Sequence, residues 1–476
     1  MTKEETKRQL ILKDPNIYKG LIILAFPLMI NNLIKTLHDI VDMFFVSRID
    51  GVRSSDAVAS IQLTFPVMFT FISLGIGIMI AATALISQAL GANDKPQAKR
   101  IGADIFMLAI LSGLVFAIVG FIFAPYVMRW MGATGYILEN SVAYLRIRVF
   151  EFPVLFGFFA YMGTRQASGD TVSPVLISGS AILLNIILSP IFILVFNFGV
   201  PGAAFATLLA NYLIMPFGFY RLFNAKDGVQ IDFLEVINPK LLKKKVTNII
   251  LIVKTAVPAS VGQAITAIGF GVMNGVIYSY GPETVAAFGL GNRLLSMILH
   301  PVMATGAILA AFIGQNIGAQ NPARAKETFR KNMILSVGIM SVGSMVIIFF
   351  RAPLAGLFLG DDPVALKLTI DYMFFILLGL PLMAVFQTFI GTYNGTGNTH
   401  YTFILSVTRL WVIRLPLVIF MGYFWPNRGS QVIWEAMLIS NLLIAFLGFI
   451  LYLRIDFKPK IKVDKVEKAK LKALHT

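Results

Sequence analysis

Long apolar runs dominate this sequence and leave room for only one class of fold. About twelve runs are long enough to cross a bilayer, for which a helix needs about 20 apolar residues. Helices are expected because each satisfies its own backbone hydrogen bonds in lipid, whereas the strands of a barrel show short alternating segments. The expected spans lie near residues 21–46, 57–87, 101–127, 142–162, 172–196, 201–223, 247–279, 284–313, 333–359, 367–391, 401–424 and 432–455.

Charge is scarce and lies mostly outside these spans. Charged residues make up 13% of the chain, against about a quarter in a soluble domain, and 57% of the residues are hydrophobic. The net charge of +16 is concentrated in loops and tails, which argues for anionic lipid headgroups rather than nucleic acid as partner. By the positive-inside rule we expect a multi-pass membrane protein with both termini in the cytoplasm.

The two halves of the chain repeat one another. The segment "ALISQALGANDKPQAKR", from Ala84, matches "AFIGQNIGAQNPARAKE", from Ala311, at seven of seventeen positions. Further on, "GTRQASGDT", from Gly163, matches "GTYNGTGNT", from Gly391. Each half holds an even number of expected spans, so both halves enter the membrane from the same side. A pseudo-two-fold axis along the membrane normal is therefore expected.

The repeat divides the chain into five segments. We expect two similar helical bundles flanking a central cleft, which can rock to expose the cleft to either face, as in transporters with parallel repeats. The chain is expected to act as a monomer. The segments are a cytoplasmic N-terminus (1–20), an N-terminal six-helix lobe (21–223), a basic cytoplasmic linker (224–246), a C-terminal six-helix lobe (247–455) and a basic cytoplasmic tail (456–476).

The first span carries a stripe of ionisable groups. Lys35, His38, Asp39 and Asp42 lie within an arc of about 100° on a helix, because each residue advances by about 100°. A charge at mid-bilayer costs at least about 2.5 kcal/mol, so intramembrane charges usually mark ion or substrate pathways. Lys35 can pair with Asp39, and His38 with Asp42, since each pair is four residues apart.

A purely structural role near the headgroups is the alternative for this stripe. Asp42 should lie about 33 Å along the axis from the start of the span, in its outer half. The second half of the chain favours function, however. Aligning the halves on Pro27 and Pro258 places uncharged residues opposite His38, Asp39 and Asp42, so the repeated scaffold does not need the charges.

Several motifs together resemble the multidrug and toxic compound extrusion (MATE) family. The resemblance covers the chain from about Leu21 to Leu453. It implies twelve helices in two lobes, a location in the plasma membrane (the inner membrane in a bacterium), and cation-coupled antiport of small, often cationic or amphipathic compounds. The motifs are "FPLMINNLIKTLHDIVDMFFVSRIDG" in the first span, "QALGANDKPQAKR" and "GQNIGAQNPARAKE" after the second and eighth spans, "RQASGDTVSP" before the fifth, and "LNIILSPIFILVFNFGVPGAAFAT" across the fifth and sixth.

The resemblance also implies a cation site in the N-terminal lobe. Asp42 matches the family's aspartate in the first helix, and Asn185 and Thr207 match polar positions around it. Ser189 departs from the pattern, because the family's "NIILDP" reads "NIILSP" here, while Asp39 stands where the family more often has asparagine. We hypothesise that Asp39 restores the negative charge lost at Ser189. The seventh and tenth spans lack the carboxylates of the sodium-coupled branch.

The expected mechanism exchanges the organic compound for a proton or sodium. Protonation of the coupled pair Asp39 and Asp42, or sodium binding at Asp42, reduces the local charge, and Lys35 and His38 modulate this equilibrium. The helix then bends near Pro27, where one backbone hydrogen bond is missing. Sodium at Asp42 is the only metal expected, and no cofactor is expected.

Two other classes of function were compared with transport. A flippase for a lipid-linked substrate would share the two-lobe plan, but it should have a more cationic cavity for a pyrophosphate headgroup. An intramembrane enzyme would need a nucleophile with its base, or metal ligands, on facing helices; the chain has no cysteine and no such pattern.

For Arg409 and Arg414, in the eleventh span, we expect a structural role through carbonyl pairing or snorkelling.

Overall fold

The computed structural model describes residues 3–46, 49, 54–224, 229–231, 242–359 and 363–461, and the regular structure of this part is entirely helical. Within the second helix, the side chains of residues 36–43 lie outside the description. The helices are α1 (Lys3–Leu12), α2 (Ile17–Val46), α3 (Ser54–Gly91), α4 (Lys95–Trp130), α5 (Gly135–Arg148), α6 (Phe152–Ala167), α7 (Val172–Pro190), α8 (Gly199–Ile214), α9 (Pro216–Phe223), α10 (Leu242–Tyr278), α11 (Pro282–Gly318), α12 (Pro322–Leu359), α13 (Pro363–Gly395), α14 (Thr399–Val407), α15 (Leu415–Phe424) and α16 (Gln431–Leu453).

The described helices account for the expected membrane spans. Eleven segments in the described part are long and apolar enough to cross a membrane. The remaining span, expected near 142–162, is also helical, because α5 and α6 are joined by a single 3-10 turn at Val149–Glu151. An all-α membrane fold is therefore confirmed for the described residues. On the division expected from the repeat, α2–α9 belong to the N-terminal lobe and α10–α16 to the C-terminal lobe.

Some helices begin well before the expected span. The spans expected from about residues 101 and 333 belong to helices that start at Lys95 and Pro322. Asp94 accepts a hydrogen bond from the backbone N–H of Gln97 at 2.9 Å, and Asn321 accepts one from the N–H of Arg324 at 3.0 Å. These side chains cap the helices, so capping rather than hydropathy decides where each helix begins. Similarly, α10 begins at Leu242 and takes in the end of the expected linker.

The repeat is visible as a pair of equivalent contacts between the lobes. The side-chain amide of Gln88, in α3, donates to the carbonyl of Gly395, and that of Gln315, in α11, donates to the carbonyl of Ala167. The donors occupy matching positions of the repeat, and so do the acceptors. The α3–α4 and α11–α12 loops lie at this end of the bundle, as does α1; we call this end the terminal face and the other end the opposite face.

The repeated loops at the terminal face share their backbone geometry. Asn93 and Gln320, at matching positions, have φ of 62° and 60°, in the left-handed region that ends many helices. Gly169 and Gly397 also match, with φ of 76° and 73°. The sequence similarity of these segments therefore reflects turns that must be the same in both lobes.

Two glycines allow the lobes to meet backbone to backbone at the terminal face. A Cβ atom added to Gly91 would lie 2.0 Å from the carbonyl oxygen of Gln315, and one added to Gly318 would lie 2.0 Å from that of Gln88. Both approaches are too short for any side chain. The terminal-face ends of α3 and α11 are therefore in close contact, and that contact requires glycine on each side.

Both ends of the described chain cross this closed face. Lys7, in α1, forms an ion pair with Asp170 of the N-terminal lobe at 3.0 Å. Arg324 of the C-terminal lobe donates to the carbonyl of Ile11, in the last turn of α1, and to that of Asp14, just after the helix. After α16 the chain returns to the N-terminal lobe, where the backbone N–H of Lys460 donates to the side-chain oxygen of Gln88 at 2.8 Å. The two ends thus connect the lobes.

Candidate functional site

Three of the expected site residues form a buried polar cluster in the N-terminal lobe. Asn185 and Ser189 lie in α7 and are 2% and 0% exposed. Asn185 donates from its amide nitrogen to the hydroxyl of Thr207, in α8, at 3.0 Å, and accepts a hydrogen bond from Ser189 at 3.3 Å. Thr207 also bonds to the carbonyl of Ala203. Polar groups in an apolar bundle need such partners, which here fix the orientation of the amide.

The helix that carries the ionisable stripe runs alongside this cluster. Asn31 of α2 accepts a hydrogen bond from Ser178 of α7 at 2.7 Å, across 147 positions of sequence. Near the opposite face, Val46 of α2 and Ile193 belong to one buried hydrophobic cluster, and they have the same sequence offset. The two helices are therefore parallel and in constant register, which places the backbone of Asp42 level with Ser189.

The structure describes the remaining expected residues to different extents. The backbone of α2 is helical through His38, Asp39 and Asp42, so their helical spacing holds, but their side chains lie outside the described part. Lys35 is exposed on α2. The helix continues through Pro27, whose ring occupies an interior helical position. The roles assigned to these residues remain predictions.

The fifth span of each lobe contains a wide helical turn. After Ser189 and Pro190 the backbone forms a π-helical turn, Ile191–Val195, and in the C-terminal lobe α14 is followed by a π-helical turn at Thr408–Arg414. Such turns are rare and occur often at functional sites. The first lies at the end of the polar cluster just described.

A buried carboxylate in the same lobe was missed by the sequence reasoning. Glu151 is 3% exposed, lies between α5 and α6, and accepts a hydrogen bond from the amide of Asn211 at 2.6 Å. Arg148 pairs with its other oxygen at 2.6 Å. The signal was available, because a glutamate halfway along an apolar span is rare and usually paired. It went unnoticed because "LRIRVFEF" resembles a polar helix end.

Comparison with known proteins identifies the fold and the family. A family model described as MatE matches residues 27–191 and again 258–420, which together cover more than half of the chain. The chain belongs to the MATE family of transporters. The two matches of this MATE chain begin at Pro27 and Pro258, the residues on which the internal repeat aligns, so they support the repeat independently.

Curated relatives of this MATE chain include efflux proteins and one carrier of a nucleotide cofactor. It is 26% identical over 414 residues to the probable multidrug resistance protein YoeA of Bacillus subtilis (strain 168), covering 86% of this chain and 88% of that protein. It is 27% identical over 427 residues to the FAD transporter of Shewanella oneidensis, covering 87% and 89%. Membrane transport is therefore its general activity, in a family of transporters rather than enzymes.

Solved structures share the fold of this MATE chain over its full length. One, titled the outward-facing conformation of a multidrug resistance MATE family transporter of the MOP superfamily, has a TM-score of 0.84. It is 23% identical, and the match covers 100% of this chain and 99% of the other. At that identity the likeness establishes the two-lobe fold.

Proposed function

We propose that this protein is a secondary active antiporter that exports small amphipathic or cationic organic compounds in exchange for protons or sodium. The observation that carries the proposal is the buried cluster of Asn185, Ser189 and Thr207, level with the ionisable segment of α2. The C-terminal lobe repeats the scaffold but not the acidic segment. The proposed ion site therefore lies in the N-terminal lobe and has no equivalent in the C-terminal lobe.

Orientation follows from the distribution of basic residues. The terminal face carries the lysine- and arginine-rich loops, so we assign it to the cytoplasm and the protein to the plasma membrane. Anionic lipid headgroups are its expected partners there, and the protein is expected to act as a monomer. With the terminal face closed by the contact at Gly91 and Gly318, the conformation described is closed on the side that we assign to the cytoplasm.

The exchange works through charge in the N-terminal lobe. A proton or sodium ion entering from the opposite face binds at Asp42, with the neighbouring Asp39 titrating as part of the same unit. The bound ion reduces the negative charge that favours a cationic compound. Bending of α2 near Pro27 then changes the shape of the lobe and releases the compound outward. The names of relatives, multidrug resistance and FAD transport, support small organic compounds as the transported class.

The test is ion-coupled transport by the purified full-length protein in proteoliposomes. Wild-type vesicles should take up a fluorescent cationic drug in the direction set by an imposed pH or sodium gradient. Asp42→Asn should abolish the gradient-dependent part of uptake. Asp371→Asn, which removes a carboxylate from α13 in the other lobe, is the matched control and should retain it. Full gradient-dependent uptake by Asp42→Asn would falsify the proposed coupling site.

A further inference from the structure

Two arginines lie in the interior of the C-terminal lobe, at the middle of the membrane span. Arg409 and Arg414 occupy the π-helical turn Thr408–Arg414, and each is 5% exposed. The span that contains them runs from Thr399 to Phe424, so Arg409 is about 15 Å from its start. This depth is too great for the side chains to reach either surface, and a role through snorkelling is excluded.

The contacts of both arginines are with neutral groups. Arg414 donates from Nε to the hydroxyl of Ser440 and from one terminal nitrogen to the side-chain oxygen of Asn441, both at 2.9 Å. Arg409 donates to the sulfur of Met383 at 2.9 Å, and its guanidinium lies 4.3 Å from the centre of the Phe386 ring. The Nε of Arg409 is buried without a hydrogen-bond acceptor. Within the described part of the chain, the carbonyl pairing expected from the sequence is found for neither arginine.

The absence of a carboxylate beside these arginines contrasts with the N-terminal lobe. There Arg165, equally buried, lies 4.0 Å from Asp170, and Arg148 lies 2.6 Å from Glu151. Among the described residues, Arg409 and Arg414 take part in no ion pair. Two buried like charges without a counter-charge are strongly unfavourable, because burial removes the water that would solvate them. Their interactions with sulfur, hydroxyl and amide groups offset little of that penalty.

The surroundings of Arg409 suit a particular type of ligand. A guanidinium presents a planar set of donors that matches a carboxylate or phosphate. Phe386 and Met383 provide an aromatic face and an adaptable apolar surface beside it. Trp411 lies between the two arginines in the chain and is held by a hydrogen bond to the carbonyl of Ile265 in α10. An acidic group attached to an apolar or aromatic body would satisfy both parts of the site.

We propose that Arg409 and Arg414 form an anion-binding site for the carboxylate or phosphate group of an amphipathic organic substrate. This assignment rests on the proposed transport function and narrows its substrate class to compounds that carry an acidic group. The two lobes then have opposite polarity at equivalent places. The fifth and sixth spans are joined by Asn185 and Thr207 beside the acidic segment in one lobe, and by Arg414 and Ser440 in the other. The coupling ion is then bound in the N-terminal lobe, and the acidic group of the substrate is bound in the C-terminal lobe.

The experiment compares two dyes that differ in one group. Rhodamine B carries a free carboxylate, and its ethyl ester does not; binding of each to the purified full-length protein is measured by fluorescence anisotropy in detergent. The wild type should bind the acid at least about tenfold more tightly than the ester. Arg409→Gln should bring the two affinities within about twofold, and Arg409→Lys should keep part of the preference. Arg428→Gln, in an exposed pair with Glu435, is the control and should keep all of it.

A second measurement does not depend on how well the variants fold. Benzoate should displace rhodamine B from the wild type, whereas benzyl alcohol should not. Equal affinity for acid and ester, no binding of the acid at millimolar concentration, or an unchanged preference in Arg409→Gln overturns the proposal. Displacement by phosphatidylglycerol but not by benzoate would assign the site to a lipid headgroup and overturn it as a substrate site. Because binding needs no gradient, loss of ion coupling alone would count only against the proposed function.

Discussion

At the scale of single residues, the cluster around Asn185 shows how a neutral amide can hold neighbouring polar groups in place beside the proposed ion site. Its nitrogen donates to Thr207 and its oxygen accepts from Ser189, so both ends of the amide are committed. The amide cannot rotate without breaking one of these bonds. The hydroxyl of Thr207 and the oxygen of Asn185 are therefore held in fixed positions beside the ionisable segment of α2, where the proposed function needs ligands or hydrogen-bond partners.

Replacing this amide should destabilise the protein measurably. Asn185→Ala removes the amide donor to Thr207 and the amide acceptor for Ser189 from the interior of the lobe, which should cost about 1–3 kcal/mol. Thermal unfolding in detergent, followed by intrinsic fluorescence, measures the change. Asn140→Ala is the matched control, because the Asn140 amide bonds only to a carbonyl of its own helix, that of Tyr136. Equal losses in the two variants would contradict a special role for the cluster.

Asp39 and Ser189 both differ from the family pattern, and the hypothesis that one change compensates for the other can be tested. If Asp39 supplies the charge that Ser189 lacks, Asp39→Asn should reduce gradient-dependent uptake by about tenfold or more. Adding Ser189→Asp to that variant should restore most of it, because the charge returns on the facing helix within one helical turn of the level of Asp39. The double-mutant cycle in proteoliposomes measures the coupling between the two positions. Independent effects of the two substitutions would show that the departures are unrelated.

At the scale of helices, the contact between α3 and α11 is a close backbone-to-backbone link between the lobes at the terminal face. Gly91 and Gly318 permit the approach, and Gln88 and Gln315 bond across it. Small residues let membrane helices come together where no hydrophobic force drives them. This closed contact has to break for the terminal face to open, so its strength sets the balance between the two conformations.

A methyl group at this contact should shift that balance. Gly91→Ala places a Cβ atom against the backbone of Gln315, and such overpacking costs about 1–3 kcal/mol, or about fivefold or more in the population ratio. Because the chain contains no cysteine, spin labels can be attached through Asn197→Cys and Asn427→Cys, one in each lobe at the opposite face. Gly91→Ala should then add a population with a shorter distance between the labels.

The control for this experiment is a glycine with free space around it. Gly179, in α7, has no heavy atom within 4 Å of an added Cβ, so Gly179→Ala should leave the distance distribution unchanged. A distribution in Gly91→Ala that matches the wild type would show that the contact does not limit opening of the terminal face.

How far the sequence predicts the structure depends on which force decides each feature. Apolar length identifies the spans, and the repeat identifies the lobes, because both features belong to the chain itself. The start of α4 at Lys95 was not predicted, since a capping bond from Asp94 decides it. The cluster around Asn185 was expected only through the family resemblance. The neutral surroundings of Arg409 could not be predicted, because they depend on which helices pack against one turn.

At the scale of the whole molecule, the two ends of the chain reinforce the closed terminal face. The helix α1 contacts both lobes through Lys7, Ile11 and the residues after it, and the segment after α16 contacts Gln88. Ile461, in that segment, is buried against the core of the N-terminal lobe. Both ends thus stabilise the conformation described here, and the proposed alternating access requires each of them to move.

The ion pair of α1 gives this idea a pH dependence. Burial raises the pKa of Asp170, but Lys7 and hydrogen bonds from Ser173 lower it more, so its pKa lies below the ordinary value of 3.8. A lowered pKa means that the pair contributes stability above the ordinary value, and that this contribution is lost as the pH falls through the lowered one. The pair is therefore intact throughout the neutral range and should break only in acid.

Lys7→Gln should accordingly lower the free energy of unfolding by about 1 kcal/mol near neutral pH, since the pair is only partly buried. The difference from wild type should stay constant from about pH 8 to 5 and shrink below about pH 4, as Asp170 becomes protonated. Thermal unfolding across this range measures it. Lys458→Gln, which removes a more exposed pair with Asp456, should change stability little at any pH. A Lys7→Gln deficit that persists undiminished at pH 3 would mean that α1 is held by its apolar contacts alone.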